Sequence, residues 1–152
     1  MNSKVVEHCQ SCGSSSLASV FFAGYLPPVN DMPRIGERLR EQPAYPAELL
    51  RCSECTLVQL GLVVDPRVLF PPDYPYTSGT TRILRENFAD LAREVGDVCP
   101  IGSDDLVVDV GSNDGTLLSN FTSSRVLGIE PTDAGDLAEA RGIRTLRAFF
   151  DR

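Results

Sequence analysis

No stretch of the 152 residues is long and apolar enough to cross a bilayer, and the opening run from Met1 to Glu7 lacks the basic and apolar regions of a signal peptide. A cytoplasmic location without a membrane partner is therefore expected. Clusters of lysine or arginine are missing too. With a net charge of -7 and an isoelectric point near 4.6, the chain offers no phosphate-neutralising stripe, so nucleic acid is not an expected partner. Histidine is reduced to His8, beside a cysteine pair, and no other residue stands out as a general base. What remains is a soluble globular composition, 42% hydrophobic and 23% charged, with length enough for one ordinary domain or two small ones.

The cysteines are ordered. Cys9 and Cys12 form one C-x-x-C knuckle, Cys52 and Cys55 a second, and Cys99 stands apart. Each knuckle delivers two thiolates from a tight turn, and four soft ligands satisfy a tetrahedral zinc ion without water. Disulfides would not persist in a cytoplasmic protein, and a thioredoxin-like pair needs only one knuckle. A structural zinc on Cys9, Cys12, Cys52 and Cys55 is the expectation, with His8 a solvated neighbour and Cys99 an inert thiol. Strands are expected over Leu17–Ala23 and Thr56–Leu60, with the proline-punctuated interval between them, including Pro43 and Pro46, read as turn and loop. So little apolar periodicity builds no large core, and the metal would supply the missing cohesion.

The stretch from Leu106 to Leu118 organises the rest. Leu106, Val107, Val108 and Val110 read as a strand buried on both faces of a parallel sheet. Gly111 and Gly115 then let the backbone turn sharply and approach a ligand, and a helix is expected to begin near Asp114 or Thr116. A second apolar run, Arg125–Ile129, ends in Glu130. An acid at that spacing after Asp109 suits a nucleoside-binding βαβ unit, in which the carboxylate accepts the ribose hydroxyls. The turn lacks the G-x-G-x-x-G of a dinucleotide fold, which argues against a pyrophosphate and a nicotinamide cofactor. Asp109 and Asp114 instead suit a ligand carrying a cation.

The sequence from Asp109 through Gly111, Asn113 and Asp114 to Gly115, together with Gly128 to Pro131, resembles the first two motifs of class I S-adenosylmethionine-dependent methyltransferases. The resemblance is greatest to the C-methyltransferases acting on nucleotide-linked deoxy-keto-sugars, which carry an N-terminal zinc-binding domain. Tyr74-Pro75-Tyr76 is similar to a segment of that family that contributes to the active site, so the resemblance implies a substrate-contacting phenol, Tyr76 in preference to Tyr74. It also implies a zinc-bound β-rich module over residues 1–72. The N-terminal half of a Rossmann-like methyltransferase sheet would follow over 73–152, with Asp109, Gly111, Asn113, Asp114, Gly115 and Glu130 around the cofactor. A nucleotide-sugar would be the substrate. The family's downstream base lies beyond Arg152, so the chain reads as truncated, silent alone, and either self-associating or dependent on a complementing polypeptide. The other class considered is a non-catalytic zinc-ribbon interaction module with a vestigial nucleotide-binding lobe.

Between these motifs, Arg82–Val95 has the pattern of an amphipathic helix with Ile83, Leu84, Phe88, Leu91 and Val95 near one face, covering one side of the sheet and ending at Gly96. A later helix is expected over Asp133–Arg141, capped by Thr132 or Asp133 and ended by Gly142. A third strand would follow over Ile143–Arg147.

Overall fold

The computed structural model describes residues 3–38 and 40–151. The chain divides into two compact units, Met1–Leu69 and Phe70–Arg152.

In the first unit, β1 (Lys4–Val5), β2 (Leu17–Leu26), β3 (Tyr45–Cys52), β4 (Val58–Leu60), β5 (Leu62–Val63) and the single turn α1 (Pro66–Leu69) follow in order. β2, β3 and β4 form an antiparallel sheet with β3 in the middle, and β1 pairs with β5. β3 is a strand where the prolines predict loop. Pro46 is tolerated because it faces only Tyr25 of β2 and lies outside Leu49–Arg51, the stretch that pairs with β4 on the other side. β2 runs three residues past Ala23, with irregular register between Ser19 and Phe21 and between Phe22 and Tyr25. β4 begins only at Val58, because Thr56 adopts a left-handed φ of 64° and belongs to the preceding knuckle.

The second unit contains α2 (Arg82–Val98), β6 (Leu106–Val110), β7 (Arg125–Ile129), α3 (Ala134–Ala140) and β8 (Thr145–Leu146), with 3-10 turns at Ser78–Thr80 and Leu118–Asn120. β6, β7 and β8 form a parallel sheet in that order. Its core is small: Leu118, Ala138 and Ile143 are buried, and Val107 and Val126 pack against them. Among the described residues the other face of the sheet is covered only in part. Leu106, Val108 and Val110, on that face of β6, are 49%, 47% and 53% exposed, which corrects the expectation of a strand buried on both sides. β6 lies at the sheet edge, and among the described residues no strand pairs with its outer side.

Three other boundaries differ from the sequence reading. No α-helix follows the glycine turn, only the 3-10 turn. The Ser119 hydroxyl donates to Thr116 O, and the Asn120 amide donates to Thr116 O and Leu117 O, so side chains take carbonyls a longer helix would need. α2 does not stop at Gly96 but continues to Val98. The stop is set by Pro100, which holds Cys99 extended at φ -131°, ψ 99°. Its inward stripe is Leu84, Phe88, Ala92 and Val95, with Ala92 buried. Ile83 is 75% exposed and Leu91 42%, and the helix packs chiefly on the two 3-10 turns. α3 ends as expected: Gly142 (φ 83°) donates to Glu139 O and Ile143 donates to Ala138 O, the paired bonds of a glycine-terminated helix. β8 shrinks to two residues.

Candidate functional site

The two knuckles are built alike. Gly13 N–H donates to Cys9 O at 2.9 Å and Thr56 N–H to Cys52 O at 3.1 Å, each closing a tight turn that exposes the peptide N–H groups to sulfur. Gly13 and Thr56 both take a left-handed φ, 77° and 64°. The first position has the residue that conformation favours and the second a β-branched one. Gly13 is visible in the sequence and its counterpart is not, because threonine gives no signal for such a turn.

All four sulfurs lie within 4.8 Å of one another, with Cys9 to Cys55 at 3.5 Å and Cys12 to Cys52 at 3.6 Å. A tetrahedral ion with Zn–S bonds near 2.3 Å separates its sulfurs by about 3.8 Å. The cage therefore fits zinc in ligand type, number and size. Cys9 and Cys52 are buried, Cys12 is exposed, and His8 is exposed and outside the cluster.

Electrostatics point the same way. The Cys12 N–H is the main influence drawing the Cys9 thiol down to about 6, and the Cys55 N–H likewise lowers Cys52. The N–H of Ser14 acts to lower Cys12 as well, yet the neighbouring sulfurs, Cys55 foremost, together with burial push it up to about 12. Cys9 and Cys52 form thiolates readily while Cys12 resists ionisation, a conflict that a divalent cation at the centre removes.

In the second unit a cavity of about 380 Å³ opens at the carboxyl ends of β6 and β7, where open parallel sheets bind ligands. Val110 at the end of β6 with the following Gly111, and Ile129 at the end of β7 with the following Glu130, line it together with Tyr74, Tyr76 and Asn113. Phe70 and the pair Phe149 and Phe150 complete an aromatic wall, Phe70 lying 5.4 Å from Tyr74 between ring centroids. These three phenylalanines escape the sequence reading. They follow short elements without periodicity, and only the fold brings them to the strand ends.

Glu130 is 5% exposed. Its Oε2 accepts Asn113 N–H at 2.9 Å, and its Oε1 accepts the Thr132 N–H and hydroxyl at 2.8 and 2.6 Å. A carboxylate has about four lone-pair sites, so one acceptor position remains for a ligand hydroxyl.

The other candidate residues separate into two groups. Gly111 and Asn113 line the cavity with Glu130; Asp109, Asp114 and Gly115 do not. Asp114 is buried and faces away, accepting the Thr116 hydroxyl at 2.6 Å and Gly79 N–H at 3.0 Å, with Arg141 at 3.2 Å. Burial alone would raise its carboxyl. The Thr116 hydroxyl, Gly79 N–H and Arg141 together bring it below the usual carboxylate range. Its carboxylate is thus paired with Arg141 and hydrogen-bonded within the protein. Asp109, half-buried in β6, is raised by desolvation and by Glu130. Gly115 serves packing: a Cβ there would meet the Ala138 Cβ at 3.1 Å and Ile143 Cγ1 at 3.2 Å, so the turn is pressed onto α3 and the chain entering β8.

The segment Tyr74–Gly79 is seated on this turn. The Asn113 side chain accepts Ser78 N–H at 2.8 Å and donates to Tyr76 O at 3.0 Å. Gly79 comes so close that a Cβ would lie 2.6 Å from Asp114 Oδ2 and 2.7 Å from Thr116 Oγ1.

Comparison with known proteins bears on the four-cysteine cage and on the chain as a whole. Residues 9–70 match the family described as "Putative zinc binding domain". The chain is similar to the C-methyltransferase NovU of Streptomyces niveus, 26% identical over 148 residues that cover 95% of this chain and 35% of that protein. It thus spans about a third of the length of this relative. The chain is thus similar along nearly its whole length to a C-methyltransferase, and the stretch that matches a zinc-binding domain contains the four-cysteine cage.

Proposed function

We propose that the chain is the cofactor-binding part of an S-adenosylmethionine-dependent C-methyltransferase acting on a nucleotide-linked deoxy-keto-sugar. The observation that carries this reading is the cavity at the ends of two parallel strands, with buried Glu130 at the tip of the second. A volume of about 380 Å³ lies within the range of small-ligand sites. Its aromatic walls suit an adenine ring, and the free acceptor site on Glu130 suits a ribose hydroxyl. The glycine turn lacks the phosphate-binding pattern of a dinucleotide fold. S-adenosylmethionine, when bound, supplies an electrophilic methyl group on a sulfonium.

The chain's own residues hold and orient. Glu130 would accept a ribose hydroxyl, and the Gly111 backbone would let the ligand approach the end of β6. Tyr76, 47% exposed at the cavity rim, would direct its phenol at the sugar, with Tyr74 behind it against Phe70. The carbon next to a sugar keto group becomes nucleophilic once its proton is removed. Tyr74, Tyr76 and Glu130 are the titratable groups lining the cavity among the described residues, and Glu130 is committed to Asn113 and Thr132. A base from beyond these residues is therefore part of the proposal. A nucleotide-sugar partner and a cytoplasmic setting belong to the same reading; among the described residues no helix is long and apolar enough to cross a membrane. The test is calorimetric titration of the zinc-loaded chain with S-adenosylmethionine and, separately, with NAD. Heat with the first alone supports the reading. Heat with NAD, or with neither, overturns it.

A further inference from the structure

Asn113 has two unusual properties. It is a non-glycine residue at φ 51°, a conformation that asparagine tolerates better than most residues but that glycine adopts without strain. It is also buried, at 9% exposure, and its backbone N–H and both polar atoms of its side chain are engaged. The backbone N–H donates to Glu130 Oε2, the side-chain oxygen accepts Ser78 N–H, and the side-chain nitrogen donates to Tyr76 O. The carboxamide thus pairs with the peptide groups of residues 76 and 78 much as a neighbouring strand would, while the main chain of the same residue holds the acid at the tip of β7.

We propose that Asn113 is a positioning residue. Its carboxamide seats the Tyr74–Gly79 segment as one wall of the cavity and sets Tyr76 relative to Glu130. Glycine would satisfy the backbone at this position; the side chain is what holds the wall. Asn113 thereby acts on a bound molecule through Tyr76 and Glu130, and specificity at the cavity rim depends on a residue whose side chain is turned to the protein.

The ligand side of this inference rests on the proposed function, but its structural side does not, and the experiment separates them. Asn113→Gly keeps the left-handed backbone and the N–H to Glu130 and removes both side-chain bonds. Asn113→Asp keeps the acceptor for Ser78 N–H and removes the donor to Tyr76 O. Amide hydrogen exchange is followed by NMR on the ligand-free, zinc-loaded chain. Exchange at Ser78 should rise at least tenfold in Asn113→Gly and stay within about twofold of wild type in Asn113→Asp, with Gly128 in β7, whose N–H donates to Arg144 O at 2.9 Å, unchanged in both. Unchanged exchange at Ser78 in the glycine variant overturns the proposal, as does equal loosening of Ser78 and Gly128. With S-adenosylmethionine added, the glycine variant should release it at least tenfold faster than wild type with association unaltered, and equal release overturns the positioning role. A wild-type chain that binds no S-adenosylmethionine overturns the proposed function, and the exchange of Ser78 then judges the clasp alone.

Discussion

Replacing glycine with alanine should destabilise the chain at one position and stabilise it at another. At Gly79 the new Cβ would lie 2.6 Å from Asp114 Oδ2 and 2.7 Å from Thr116 Oγ1, both atoms of buried residues bonded to each other. Neither can retreat without breaking that pair, so the segment must lift instead, stretching the 3.0 Å bond from Gly79 N–H to Asp114. A hydrogen bond to a charged group contributes about 1.5–3 kcal/mol. Restricting the unfolded chain returns about 0.4–1 kcal/mol, leaving a net loss of about 1–2 kcal/mol for Gly79→Ala. Gly96 lies inside α2, with no left-handed φ and open space for at least 4 Å around the point a methyl would occupy, so Gly96→Ala should stabilise by about 0.5–1 kcal/mol. Urea unfolding followed by residue-resolved NMR of the second unit gives both values. A Gly79→Ala variant as stable as wild type would refute the close seating of Tyr74–Gly79 on the Asp114 turn.

Four further outcomes follow from the same geometry. The purified chain should hold one zinc per molecule by elemental analysis, and Cys52→Ser should abolish it while increasing amide exchange in Met1–Leu69 far more than at β6; a metal-free chain with an unchanged fold would contradict the cage. Thr56→Gly should stabilise the first unit by about 1 kcal/mol, since it relieves a left-handed β-branched residue, and is read from the chelator concentration needed for half unfolding. Glu130→Ala should weaken S-adenosylmethionine binding by about 1.5–3 kcal/mol in calorimetry, and equal affinity would remove the ribose assignment. Stability should respond to acid in opposite senses at two aspartates. Asp114, lowered in the fold, stabilises above its unfolded value near about 3.9 and loses that contribution as pH falls through its folded value. Asp109, raised in the fold, opposes folding once ionised, so Asp109→Asn should stabilise at neutral pH with a gain that fades toward pH ~4; a pH-independent difference would contradict the assignment.

The features legible in the sequence are those that one residue type imposes locally. Thiolate pairs at C-x-x-C spacing, an aliphatic run ending in glycine, an acid closing the next run, and Gly142 after a short helix each have few alternatives. What escapes is decided by neighbours distant in sequence. Tyr45–Cys52 contains a proline and reads as loop, yet β2 and β4 supply it with partners on both sides. The apolar face of β6 reads as buried because residue type reports what a strand tolerates, whereas cover depends on what lies against it. Asp114 reads as facing a ligand because its position in the turn is visible but its partners, Gly79 and Arg141, lie 35 and 27 residues away.

The cysteine cage joins positions about 40 residues apart, and the antiparallel ladder closes the same loop a second time, with Leu17 opposite Cys52. Tethering a loop of that length removes about 4 kcal/mol of chain entropy from the unfolded state. Because zinc and the β2–β3 ladder draw on that one closure, whichever forms first leaves the other with little further entropy to lose. Metal uptake and strand pairing in the first unit should therefore occur as a single cooperative event. A chelator would then release the hairpin in one sharp transition, with no populated state in which the ladder persists and the ion is gone.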